Sequence, residues 1–364
     1  MRVVHIIPGI SRRSGGPSRS VQGMVSSLNR AGCEAWLLTC YGEELPWFEG
    51  ISHFIRREDG RKDPLGVYQF LKVHLQQLRP DLVHIHALWM WCSHLAAKVS
   101  WQLGIPYVIS PRGMLDPWAF HHKWWKKLPA WWLYQRQDLK RAAAFCVTAE
   151  MEAEHVRQFG FKQPLIVSPN GVKVPSVLPE KTETTPKTAL FLARLHPGKG
   201  LLTLADVWGH IRPAGWKMRV IGPDQYGHKA EVVARVKALG LEDAWEFVDE
   251  LDDEAKWQEL RRASLFVFPS VSENFGISIA EALYAELPVI ATRGTPWQEL
   301  ETYQCGWWIA QGGEALEKAL SEALTQTEEV RREMGRRGAA LIQQRYLWNS
   351  VGETLEAWYR QRLR

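Results

Sequence analysis

Residues 265–283 read LFVFPSVSENFGISIAEAL: an apolar run, a Ser/Glu/Asn/Gly loop, and a second apolar run that opens at Gly276. A short apolar run closed by turn residues reads as a buried strand, and the run after the glycine reads as a helix. The stretch is therefore one strand-loop-helix unit, and the same unit recurs on either side of it. TALFLAR (188–194), MRVIG (218–222), WEFVDE (245–250) and PVIAT (288–292) repeat the strand signature, with KAEVVARVKALG (229–240) as a helix between. The first half does the same with VVHII (3–7), AWLLTC (35–40), DLVHIHAL (81–88), YVIS (107–110) and AFCVTA (144–149). Its helices include SVQGMVSSLNRAG (20–32) and VSWQLG (99–104). Strands alternating with helices imply parallel sheets covered on both faces.

The stretch VPSVLPEKTETTPK (174–187) has neither period and reads as a linker or exposed loop. Two consecutive Rossmann-like α/β domains follow, residues 1–170 and 171–348, as 364 residues would suggest. Ligands of such sheets sit beyond the carboxyl ends of the strands, so a cleft between the domains is the expected site. Residues 313–346 read as helical throughout, and a final helix from about Asn349 shows an apolar face of Val351, Leu355 and Trp358.

Two places carry chemistry. In FLARLHPGKG (191–200) Arg194 ends a strand and Lys199 follows in a glycine-permissive turn. Such a pair can converge on a phosphate, the guanidinium as a fork and the ammonium as a point charge, or can be a solvated basic turn. In the opening stretch Glu273 falls in the loop and Glu281 on the second turn of the helix, where both can face one ligand. Glu281 sits among Ile277, Ile279, Ala280 and Leu283, where a carboxylate needs a reason to be. The backbone N–H groups at the helix start favour an anion.

ENFGISIAEAL, FLARLHPGKG and SPNGV (168–172) together resemble the retaining GT-B glycosyltransferases of family GT4; E-x-F-G-x4-E-A-L is that family's signature. SGGPSRS (14–20), PDLVHIHA and TAEMEAEHV fit the same pattern, so the likeness spans nearly the whole chain. It implies two domains facing across a cleft, with the last helix, 349–364, crossing back to the first. It implies a sugar moved with retention from a UDP- or GDP-type donor to a glycan or lipid-linked glycan in cell-surface polysaccharide synthesis. No cofactor and no tightly bound metal are expected.

By resemblance Arg194 and Lys199 hold the diphosphate, Glu281 the ribose, and Glu273 the hydroxyls of the transferred sugar. Asn274, Phe275 and Gly276 cradle sugar and phosphate with their backbone, Gly15 and Gly16 close over them, and Glu250 lies in the base-contacting loop. One departure stands out. Where many members place a His-Gly pair, this chain reads SPRGMLDPWA, with Arg112 in the histidine's place. PRGML-PW is the pattern of a bacterial polysaccharide-assembly branch. Arg112 and His86 are thus candidate contacts to sugar or acceptor, although His84 and His86 also read as structural histidines.

The segment 121–141, HHKWWKKLPAWWLYQRQDLKR, interleaves cations with four tryptophans. It reads as an interfacial segment for an anionic membrane, as a core helix, or as an acceptor-binding wall. Residues 1–170 hold 21 Lys and Arg against 13 Asp and Glu, a balance of +8, while the remainder balances at −3. That suits an anionic partner. Nucleic acid is not expected, because no nucleic-acid motif accompanies the aromatics.

Five scattered cysteines without a CxxC pair point to a reducing compartment and no zinc. VVHII is too short for a signal peptide and no run spans a bilayer, so a cytoplasmic chain, peripheral at most, is expected. Two other readings share the architecture, a non-catalytic nucleotide-sugar-binding partner and a sugar-nucleotide epimerase. A dinucleotide dehydrogenase is disfavoured because no G-x-G-x-x-G follows the first strand.

Overall fold

The computed structural model describes the chain apart from residues 12–15, 43, 59–60, 122–123, 183 and 363–364, so Gly15 and Lys123 lie outside the described residues. The chain divides into two compact units, Met1–Gly171 with Trp348–Arg364, and Val172–Leu347.

The first unit is built on seven parallel strands: β1 (Arg2–Ile7), β2 (Glu34–Thr39), β3 (His53–Arg56), β4 (Leu82–His86), β5 (Tyr107–Ser110), β6 (Ala144–Val147) and β7 (Leu165–Val167). Their spatial order is β3-β2-β1-β4-β5-β6-β7. The second unit has six: β8 (Lys187–Leu192), β9 (Trp216–Ile221), β10 (Trp245–Val248), β11 (Leu265–Phe268), β12 (Val289–Thr292) and β13 (Gly306–Ile309). Their order is β10-β9-β8-β11-β12-β13. Both sheets reverse direction of growth where the first strand meets the fourth, β1 beside β4 and β8 beside β11. That is the topological switch point, where loops diverge and leave room for a ligand.

Strands covered on both faces must be apolar almost without interruption, and they are. Val3, Val4, Ile6 and Ile7 of β1 and all four residues of β11 are buried. In the first unit the helices Gly16–Arg30 and Trp348–Arg362 share one apolar cluster under the sheet. The helices Pro64–Leu78 and Trp91–Gln102 share the opposite one.

Four details differ from the sequence reading. The strands β3, β7 and β13 are short or half-buried edge elements whose pattern is too brief to stand out. Residues 313–346 form two helices, Gly313–Thr325 and Glu328–Arg345, because Thr327 stops one and caps the other through its hydroxyl on the Val330 N–H. In the final helix Tyr359, not Trp358, completes the buried face with Val351 and Leu355, since positions 351, 355 and 359 fall in line four apart. Arg194 stands two residues beyond the end of β8.

Candidate active site

In the second unit the loops after β8 and β11 are stitched together by backbone. Val271 N–H donates to the Gly198 carbonyl at 2.8 Å, and Ser270 Oγ–H donates to the same oxygen at 3.2 Å. Gly200 makes the approach feasible. Its φ is +75°, and a Cβ there would stand 2.2 Å from the Pro269 carbonyl oxygen. The result is a tight turn, Pro197–Lys199, that carries Lys199 across to Glu273, with which its ammonium forms an ion pair. Glu273 is itself held by its N–H on the Gly294 carbonyl at 2.8 Å.

The helix Ile277–Tyr284 starts at Gly276, whose φ of +78° turns the chain from loop into helix. Phe275 fixes the entry. Its ring packs on Trp297 and Tyr346, and its carbonyl accepts the Trp297 indole N–H at 2.5 Å. With the side chain turned into the core, residues 274–276 offer backbone, and the first N–H groups of the helix lack partners within it.

Glu281 is buried, and its reason for being there is a residue the sequence reading did not single out. Lys256 Nζ donates to Glu281 Oε1 at 2.7 Å and to Asp253 Oδ1 at 3.2 Å. Burial alone would lower the Lys256 pKa, but the Glu281 and Asp253 carboxylates outweigh it and hold the ammonium above its ordinary value. Lys256 lies on the helix Asp253–Arg262, with Trp257 and Leu260 on its buried side. A lysine amid acidic residues in an otherwise solvated helix gives no signal of an inward partner until the fold supplies one.

Arg194 and Glu250 are exposed, and no ion pair or hydrogen bond joins either side chain to other described residues. His196 accepts the Gly198 N–H at 3.0 Å, and burial together with Lys199 and Arg194 lowers its pKa. The structure thus brings together Lys199 with Glu273, on the loops beyond β8 and β11, and Glu281 with Lys256, on the helices that follow β11 and β10.

The first unit places a different set at its switch point. Register sets His5 beside His84 and His86 beside Ser110. His5 Nδ1 lies 3.0 Å from His86 Nε2, and Arg112 Nη2 lies 3.2 Å from His86 Nδ1. A guanidinium only donates, so His86 Nδ1 accepts, its Nε2–H donates to His5, and the proton of His5 rests on Nε2, which has no partner. His84 reaches the Tyr359 hydroxyl at 2.5 Å and Ser110 Oγ at 2.8 Å. Burial first, then the neighbouring histidines and the Arg112 cation, depresses His84 and His86, and burial with Arg112 lowers His5 to about 3.

Arg112 also donates to Asn170 Oδ1 at 2.9 Å. Its backbone has φ +56°, and the following Gly113 donates its N–H to Glu152 at 2.6 Å. Glu152, inside the TAEMEAEHV motif, clamps that turn with two further bonds from Thr148. His86 is fully buried and Arg112 largely so, each engaged with the other, which fits the reading of His86 as a structural histidine. Although the imidazole nitrogens of His5, His84 and His86 lie within 4.8 Å of one another, the set does not suit a metal ion. His84 already uses both nitrogens, and a guanidinium occupies His86. Gly16 opens the helix Gly16–Arg30.

Two family descriptions match the chain in tandem: "Glycosyltransferase Family 4" over residues 14–174 and "Glycosyl transferases group 1" over residues 178–340. The GDP-mannose:cellobiosyl-diphosphopolyprenol alpha-mannosyltransferase of Xanthomonas campestris is 24% identical over 229 residues, 61% of this chain and 58% of that protein. The phosphatidyl-myo-inositol mannosyltransferase of Mycobacterium leprae is 28% identical over 194 residues, 51% of each. The chain thus spans only about half to three-fifths of the length of these relatives. In fold, Anabaena HepE, solved with UDP and glucose, superposes with a TM-score of 0.78 at 17% identity, covering 99% of this chain and 100% of that one.

The two parallel α/β units are those of a GT-B glycosyltransferase. Within that class the chain belongs to the GT4-type glycosyltransferases.

Proposed function

We propose that the chain transfers a hexose, with retention, from a UDP- or GDP-sugar to a glycan or lipid-linked glycan in cell-surface polysaccharide synthesis. The observation that carries this reading is the Lys199–Glu273 ion pair between the loops beyond β8 and β11, with the Glu281–Lys256 pair on the helices that follow β11 and β10. The relatives' names supply the chemistry: one takes GDP-mannose and acts on a diphosphopolyprenol, another on phosphatidyl-myo-inositol, and the structural neighbour holds UDP.

When the acceptor hydroxyl oxygen bonds to the anomeric carbon, the bond from that carbon to the donor phosphate breaks, its electron pair leaves with the nucleoside diphosphate, and the hydroxyl proton passes to the departing phosphate oxygen. Charge builds on the departing phosphate. Lys199 and Arg194 neutralise it, and the start of the helix Ile277–Tyr284 adds its dipole. On this reading no metal is needed for that work. Glu273 accepts from the hydroxyls of the sugar, and the free oxygen of Glu281 from those of the ribose. Glu250 stands in the loop next to the base. The fixed Lys199–Glu273 pair keeps the leaving-group cation next to the sugar it releases.

A thermal-shift panel of UDP, GDP, ADP and their sugars should single out one base, with about 2.7 kcal/mol of stabilisation at a hundredfold excess over Kd. Lys199→Ala should then abolish that shift and lower transfer by a hundredfold or more. Product anomers read by NMR decide retention. Undiminished transfer in Lys199→Ala would sink the site, and nucleotide binding without transfer to any acceptor would favour a non-catalytic binding partner.

A further inference from the structure

The first unit carries a surface that donor chemistry does not explain. The helices Pro64–Leu78 and Trp91–Gln102, and the helical run from Trp124 to Arg141, pack on the same side of the sheet around one apolar cluster. Within those three stretches the sole carboxylate is Asp138, and it is buried against His94 Nδ1 at 2.9 Å. What the layer shows to solvent is therefore cationic and neutral only, including Lys72, Lys98, Lys126, Arg136, Lys140 and Arg141.

The same layer exposes Trp91, Trp101, Trp124, Trp125, Trp132 and Leu133, the last two 70% and 81% accessible. Of the four tryptophans in 121–141, Trp131 alone is buried. The exposed rings join across helices. Trp91 stacks on Tyr134 at 5.5 Å, and the Arg141 guanidinium lies 3.9 Å from the centre of Trp101. A soluble surface rarely leaves so many large aromatics in water, and grouped ones mark a site of contact.

We infer that this helical layer docks on the interface of an anionic lipid bilayer. Tryptophan beside lysine and arginine matches the layered polarity of that interface, with rings at the acyl boundary and cations at the phosphates. A wall for stacking sugar rings needs open indole faces, whereas here Lys126 stands 4.8 Å over Trp125, Arg136 5.6 Å over Trp132, and Arg141 over Trp101. No helix of the described residues is long and apolar enough to cross a membrane, so contact would be on the surface. The donor loops belong to the second unit, so the two assignments stand or fall separately.

The test is co-sedimentation of the whole chain with equimolar phosphatidylcholine–phosphatidylglycerol vesicles, set against pure phosphatidylcholine. Binding to the mixed vesicles alone, weakened by salt, is expected. Each cation near the surface is worth roughly fivefold in affinity, so K126Q/R136Q/R141Q should lose on the order of a hundredfold. W125S/W132S should weaken binding at every salt concentration while leaving the thermal melt unchanged. Absence of native binding at low salt, or undiminished binding by the triple variant, would overturn the proposal. So would a triple variant that keeps its vesicles but fails with a water-soluble acceptor, which would make the layer an acceptor wall.

Discussion

The two units share a strand order and a switch point, yet they fill that point in opposite ways. Beyond the strands of the second unit the charges are formal and are exposed or paired: Arg194 exposed, Lys199 with Glu273, and Glu281 with Lys256 from the helix after β10. Beside β1 and β4 the polar groups are neutral imidazoles, hydroxyls and one guanidinium, all buried and tied together. Charge that must meet a diphosphate has to remain near water. A polar cluster locked inside the sheet instead fixes where loops leave the strands. The same topology thus carries paired or exposed charges in one unit and a neutral, interlocked cluster in the other.

The largest expected effect tests the charged side of this contrast. Lys256 and Glu281 are both about nine-tenths buried, with side-chain exposures of 11% and 8%. Removing one partner leaves a buried charge without its counter-ion, so Lys256→Met should cost about 3 kcal/mol in denaturant unfolding. It should also raise KM for the donor more than it lowers kcat, because Glu281 would lose the group that orients it. The double variant K256M/E281L should recover most of the stability and none of the donor affinity. A cost below about 1 kcal/mol for Lys256→Met would mean that the pair is solvated and contributes little to stability.

The next effect belongs to the neutral side. His5, His84 and His86 have pKa values held below the ordinary 6.5 in the folded chain. The unfolded state therefore binds protons first, and stability falls as pH drops through 6.5 and keeps falling toward the folded value, about 3 for His5. One pH unit below the ordinary value, each histidine costs roughly 1.4 kcal/mol. Hydrogen exchange at mildly acidic pH should show β1 and β4 losing protection well before β8 and β11. The His5→Gln variant should be less sensitive to acid by about one histidine's share. Equal loss in both sheets would remove the distinction.

Much of this was legible in advance, and the gaps have physical reasons. Continuous apolar runs announced ten of the strands, and the E-x-F-G-x4-E spacing singled out Glu273 and Glu281 as a loop carboxylate and a carboxylate set in an apolar helix face. Lys256 and Glu152 were not legible. Each looks like an ordinary charge on a polar helix, and only the packing of distant elements turns it inward. Arg112 was legible as a departure and a candidate contact, but its bonds to His86 and Asn170 were not, since sequence cannot tell a guanidinium that meets solvent from one satisfied by distant partners. The tryptophans of 121–141 show the converse. Nothing in their spacing separates Trp131, which is buried, from Trp132, which is not, because five residues of π-helix from Trp131 shift the face that points inward.

The smallest effect concerns how the chain's last helix is tied to the first sheet. Tyr359 is fully buried, and its hydroxyl meets His84 Nδ1, a bond between residues 275 positions apart. Apolar contacts of Val351 and Leu355 with the Gly16–Arg30 layer supply most of the attachment, and the hydroxyl adds direction. Tyr359→Phe keeps the ring and removes the bond, so it should cost about 1 kcal/mol. The freed His84 nitrogen makes this more than a packing test. With that partner gone, imidazolium is less disfavoured relative to imidazole only if the hydroxyl had been donating to the ring. A Tyr359→Phe chain whose acid sensitivity is unchanged would show that the phenol donates little there, and that burial alone keeps the histidines neutral.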